Sequence, residues 1–131
     1  MDTKLFRDLC ETSGVPGREE RVRKRIQTAI KGLFDTTRVD ALGSLICTRS
    51  PRGPRQRKGT VLPRPKRVLI CAHMDEIGFY VRHIDDKGFV WVNPAGGFDP
   101  RNLFSRRVMV CCKGRDYEGV MNPGGKPLHI S

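Results

Sequence analysis

The chain is poor in histidine and in acids, and it has no long apolar run. It carries 3 histidines and 14 acids among 131 residues, against 25 lysines and arginines. After Asp75 only His83 and His129 remain, so any histidine-based metal site that starts before that point is expected to be left unfinished. No apolar run reaches the roughly 18 residues that a membrane-spanning helix needs, and no membrane partner is expected. The opening Met1-Asp2-Thr3-Lys4-Leu5-Phe6 has no basic region followed by an apolar segment and a small-residue cleavage site. That argues against a secretory signal and for the cytoplasm. The five cysteines are odd in number and form no Cys-x-x-Cys, which argues against a disulfide framework and a structural zinc knuckle. Cys47 and Cys71 fall in apolar patterns and are expected in a core. The Cys111-Cys112 pair is expected at a strand edge.

What is present starts with charge. The net charge is +11, which raises the possibility of a nucleic-acid partner. Its distribution lowers that possibility. Residues 49–67 contain Arg49, Arg52, Arg55, Arg57, Lys58, Arg64, Lys66 and Arg67 and no acid, together with Pro51, Pro54, Pro63 and Pro65. Such a stretch reads as a solvated, partly extended loop between two strands. A phosphate-contacting arm through Arg49, Arg52, Arg55, Arg57 and Lys58 is the weaker reading. Counterion release would drive it, but no aromatic residue interleaves to stack on bases.

The length suits one modest domain with a real core, and the pattern of elements is α/β. Residues 2–11 predict a short helix with Leu5, Phe6, Leu9 and Cys10 on one side, ended by Ser13-Gly14-Val15-Pro16-Gly17. Residues 18–31 predict a second helix, since Val22, Ile26, Ile30 and Leu33 recur at helical spacing. Glu19 and Glu20 sit in its first turn, where the helix dipole favours anions. Strands are predicted at 36–40 and 45–48 around a tight reversal, and at 67–72 as a near-continuous apolar run of the kind covered on both faces. Residues 77–84 and 89–92 predict a hairpin around Asp85-Asp86-Lys87-Gly88, where Gly88 tolerates the positive φ of such turns. Residues 93–100 read as a loop. Residues 108–112 and 117–121 predict a further hairpin.

The chemistry gathers at the end of the apolar run, in His73-x-Asp75. Alternation along an extended segment puts both side chains on one face. A carboxylate so placed can accept the second N–H of a metal-bound imidazole and fix its tautomer. A satisfied histidine or a simple histidine–aspartate ion pair fits the spacing equally well, and catalytic zinc needs about three protein ligands. Glu76 is next in sequence but alternation turns it away from the pair. His83 is expected on the surface of the next strand, and His129 in a terminal loop.

The wider sequence resembles the cytoplasmic dinuclear-metal aminopeptidases of the glutamyl, leucyl and deblocking type, some of them misnamed endoglucanase M. The resemblance runs through Ala72-His73-Met74-Asp75-Glu76-Ile77-Gly78-Phe79, Ile84-Asp85-Asp86-Lys87-Gly88-Phe89, Gly96-Gly97-Phe98-Asp99-Pro100-Arg101 and Ser105-Arg106-Arg107-Val108-Met109-Val110. Upstream, residues 10–19 resemble the family's opening helix and turn. Val39-Asp40-Ala41-Leu42-Gly43-Ser44 resembles its Asp-x-x-Gly-Asn motif, with Ser44 in place of Asn. Downstream, Gly119-Val120 and Lys126-Pro127-Leu128-His129 follow in the family's order.

The resemblance implies the start of a mixed-sheet zinc-peptidase catalytic domain in residues 1–83. It implies the beginning of an inserted β-rich dimerisation domain in 84–131, and hence a homo-oligomer. It implies two divalent ions, zinc or cobalt, a bridging water that attacks the peptide carbonyl, and peptide substrates cut at their amino termini. His73 matches a metal ligand and Asp75 the catalytic-site acid beside it. The base glutamate and the other ligands of the family fall beyond this chain, so the isolated chain is expected to be inactive. A non-enzymatic interaction module built on the strands of 108–121 is the alternative.

Overall fold

The computed structural model describes residues 2–53 and 66–124. They form two compact units, which divide between Glu76 and Ile77. In the first unit, helix α1 (Thr3–Cys10) starts where the Asp2 carboxylate accepts from the backbone N–H groups of Lys4 and Leu5, both at 3.0 Å. An aspartate at this position satisfies donors that the first helical turn leaves open. Helix α2 (Glu20–Ala29) follows, with Glu20 in its first turn. An ion pair between Arg25 of α2 and Asp8 of α1 joins the two helices.

Strands β1 (Thr36–Val39) and β2 (Leu45–Thr48) pair antiparallel, from Thr36 opposite Thr48 to Val39 opposite Leu45. Their turn is built on Asp40, whose carboxylate accepts from Leu42 N–H at 3.0 Å and Ser44 N–H at 2.9 Å. Arg23 reaches from α2 to donate to the Gly43 carbonyl at 2.8 Å. That bond fastens the helix to the turn.

The second unit begins with strands β3 (Gly78–Ile84) and β4 (Val90–Ala95), antiparallel with a bulge between Val81 and His83. The bulge inserts Arg82 and resets the alternation, so His83 lies opposite Trp91 and their rings stack at 5.7 Å. The turn is the one the sequence predicts. Gly88 has φ +83°, and the Asp85 carboxylate accepts from Lys87 N–H at 3.0 Å and Phe89 N–H at 2.9 Å. A short 3-10 turn at Pro100–Asn102 is capped by Asp99, and Phe98 stacks on Phe79 at 4.6 Å. Strands β5 (Arg106–Val110) and β6 (Tyr117–Met121) pair antiparallel.

Several expectations need correction. The apolar run at 67–72 forms no strand; Val68, Leu69 and Ile70 are 83%, 87% and 88% exposed. A strand that is apolar on both sides needs a neighbour along each edge and a layer on each face. Among the described residues every sheet has two strands, and none offers such a slot. Cys71 is consequently exposed and Cys47 only half-buried. The expected core is not built either: Val22 and Ala95 are the buried hydrophobic residues among those described. Two-stranded sheets have no interior of their own. Asn93, Pro94 and Ala95 continue β4 instead of starting a loop. Arg55, Arg57 and Lys58 of the basic stretch, and His129 near the end, lie outside the described residues.

Two predictions follow from these contacts. The Asp85 carboxyl is held below the usual aspartate value of 3.8, first by the Trp91 indole N–H and then by the Phe89 amide. A depressed folded-state value stabilises the turn above the unfolded one and withdraws that support as pH falls through the folded one. In a His83→Phe background, which keeps a ring on Trp91 without an ionisable group, the indole N–H resonance should therefore hold its position from neutral pH to about the unfolded aspartate value of 3.9. It should move only below that, and Asp85→Asn should remove the acid transition. Separately, a Cβ at Gly14 would lie 2.6 Å from Val22 Cγ1. Gly14→Ala should cost about 1–3 kcal/mol by overpacking, read as a lowered midpoint in urea.

Candidate metal-ligand pair at His73 and Asp75

His73 and Asp75 lie in the first unit, in the irregular stretch that precedes β3 in sequence. Two-residue spacing brings them together as alternation predicts. His73 Nδ1 is 2.9 Å from Asp75 Oδ1. The Asp75 carboxyl is held below its usual range, first by that hydrogen bond, so at neutral pH it is ionised and can only accept. Nδ1 therefore carries a proton, and in the neutral ring Nε2 keeps its lone pair for a ligand. The histidine side chain is 92% exposed and the aspartate side chain 34% exposed. The imidazole thus stands in solvent with its orienting acid partly sheltered behind it.

The pair edges an open cleft of about 600 Å³. One wall is apolar and comes from α2, the residues after it and β2, through Ile26, Ile30, Phe34 and Leu45; the other is the stretch from Ile70 to Asp75. The periodicity that places Ile26 and Ile30 on one face of α2 is legible in the sequence. That this face would border His73 is not.

Glu76 is turned to Gly14. Its backbone N–H donates to the Gly14 carbonyl at 2.8 Å, and its Oε1 accepts from the Gly14 N–H at 3.2 Å. The sequence marks Ser13-Gly14-Val15-Pro16-Gly17 only as a helix breaker, and no local pattern announces that this turn holds the far end of the His-x-Asp stretch. His83 belongs to the second unit, exposed and stacked on Trp91.

As a metal site the arrangement is partial. Among the described residues no group of three or more His, Cys, Asp or Glu side chains could hold an ion. A catalytic zinc takes about three protein ligands and one open position. The described residues offer one imidazole with its acid.

Comparison with known proteins agrees with the family resemblance. The sequence profile of the M42 glutamyl aminopeptidase family matches residues 57–131. The lysyl aminopeptidase of Pyrococcus furiosus is 29% identical over 131 residues, 99% of this chain and 34% of that protein. The solved structure of an aminopeptidase from Desulfurococcus kamchatkensis is 33% identical, with a TM-score of 0.77 over 97% of this chain and 32% of that one. The Pyrococcus horikoshii TET1 peptidase, which can assemble into a tetrahedron or a large octahedral shell, is 30% identical. Its TM-score is 0.75 over 98% of this chain and 35% of that one. The chain spans about a third of the length of the curated relatives it matches. On the strength of the profile match and of structural likeness along nearly its whole length, this chain belongs to the M42 glutamyl aminopeptidase family.

Proposed function

We propose that this chain is the amino-terminal part of a metal-dependent aminopeptidase that removes residues from the amino termini of peptides in the cytoplasm. The observation that carries the reading is the His73–Asp75 pair. Its Nδ1–Oδ1 contact of 2.9 Å leaves Nε2 for a metal, and it lies inside the stretch that matches the family profile. In this reading His73 is one ligand of a pair of divalent ions, zinc or cobalt. Asp75 keeps the imidazole in the tautomer that a metal requires and raises its basicity. Residues to about His83 start the catalytic domain, and those from 84 on start an inserted β-rich domain that serves in homo-oligomer formation. The assembly of the TET1 relative into closed shells supports an oligomer.

The described residues complete neither ion's coordination, so no hydrolytic step is assigned to them. Their part is to present one imidazole in a fixed orientation at the rim of a cleft. The base that would activate water, and the ligands that would hold the ions, are proposed to come from sequence beyond this chain's match to its relatives.

The test is a chimaera. This chain is joined to the part of the Pyrococcus furiosus lysyl aminopeptidase beyond the matched stretch and assayed on an aminoacyl anilide. Zinc- or cobalt-dependent release of the aniline is expected, with none from the 131-residue chain alone. His73→Ala should abolish release, and Asp75→Asn should lower metal affinity or activity by about 10–100-fold. Release that survives a chelator, or full activity after His73→Ala, would refute the reading.

A further inference from the structure

We propose that Glu76 is a positioning residue: through Gly14 it clamps the His73–Asp75 stretch to the turn between α1 and α2, and so sets the orientation of the imidazole. The inference rests on the reading of His73 and Asp75 as a metal-ligand pair.

The stretch needs an anchor. Residues 66–77 take no regular structure, and Val68, Leu69 and Ile70 are more than four-fifths exposed. Neither a ladder nor packing of those side chains fixes the backbone on the approach to His73. One residue past Asp75 the situation changes. Glu76 N–H donates to the Gly14 carbonyl at 2.8 Å, and Gly14 N–H donates to Glu76 Oε1 at 3.2 Å. Both main-chain groups of Gly14 are thus taken up by a single residue 62 positions away. The two bonds differ in kind. The backbone bond fixes where the chain passes, and the carboxylate bond fixes its rotation about that point. Hydrogen bonds to an ionised acceptor are stronger than neutral ones, which suits a joint exposed to water.

Gly14 fits this role for a steric reason. It is buried against Val22, itself 5% exposed. A Cβ there would meet Val22 Cγ1 at 2.6 Å and Val22 Cβ at 3.3 Å. The β-branched valine has little freedom to turn aside. Only a residue without a side chain brings an N–H and a C=O this close to α2 while leaving both open toward Glu76. The anchor is therefore part of the best-packed point of the first unit. Glu76 is bonded directly to Asp75, and Asp75 Oδ1 lies 2.9 Å from His73 Nδ1, so a displacement of Glu76 acts on the acid that orients the ring.

A purely structural role would alter stability and leave the imidazole as it is. The experiment reads both in the full 131-residue chain. Hydrogen exchange at the Gly14 amide reports the clamp. Long-range ¹H–¹⁵N correlations of the His73 ring at alkaline pH, where the ring is neutral, report its tautomer. Wild type should show a protected Gly14 amide and the Nδ1–H form. Glu76→Ala should speed Gly14 exchange by roughly tenfold or more and return His73 toward the Nε2–H form that a free histidine side chain prefers. Glu76→Gln keeps an oxygen acceptor and should retain most of both signals. Glu76→Asp, one methylene shorter, guards against a Glu76→Ala chain that fails to fold and should move both signals in the same direction as Glu76→Ala. Asp75→Ala removes the acceptor beside the ring and should shift the tautomer while leaving Gly14 exchange near wild type. Unchanged tautomers in Glu76→Ala and Glu76→Asp, beside a shifted Asp75→Ala, would overturn the clamp and leave the ligand pair standing. An unchanged tautomer in Asp75→Ala would overturn the pair and the clamp with it.

Discussion

A strand that is apolar on both sides is stable only with neighbours, and the run from Val68 to Ala72 has none among the described residues. Much else depends on that constraint. With the run unpaired, no sheet among the described residues exceeds two strands, and the helices have no broad surface there to cover. With no broad sheet beside it among the described residues, the apolar face of α2 lines an open cleft and not an interior. The stretch that carries His73 is therefore held mainly by local means: the carboxylate beside it and the two bonds from Glu76 to Gly14.

The legible part of the fold was the part written in short range. The two helices, the Asp40 reversal and the Asp85–Gly88 turn depend on capping carboxylates, helical periodicity and a glycine at positive φ, all contained within a dozen residues. The sequence reading failed where the outcome turned on partners. The pattern at 67–72 is a good strand pattern, and Cys47 and Cys71 are good core residues, but pattern states a preference and not the presence of the neighbours that satisfy it. The error over residues 93–95 was of a smaller kind. Asn93 and Pro94 look like turn residues, yet pairing with Tyr80 and Phe79 carries them along β4.

The candidate site divides the same way. His73 and Asp75 could be paired from alternation alone, because two residues on one extended stretch need no knowledge of the fold. The contact of Glu76 with Gly14 spans 62 positions, and nothing local marks either end. The Gly-rich turn showed that the first helix stops, not what the stopped chain would hold. Ile26 and Ile30 were assigned to the apolar stripe of a helix, and their place beside the histidine came only with the structure.

The distribution of chromophores has a practical consequence. Both helices belong to the unit that ends at Glu76, and the single tryptophan, Trp91, belongs to the unit that begins at Ile77. Helical ellipticity and indole emission are thus separate witnesses, one for each half of the molecule. Denaturation curves that coincide in the two signals would mean that the halves melt as one cooperative body. Curves that part would resolve the order in which they come undone, with no label added to the chain.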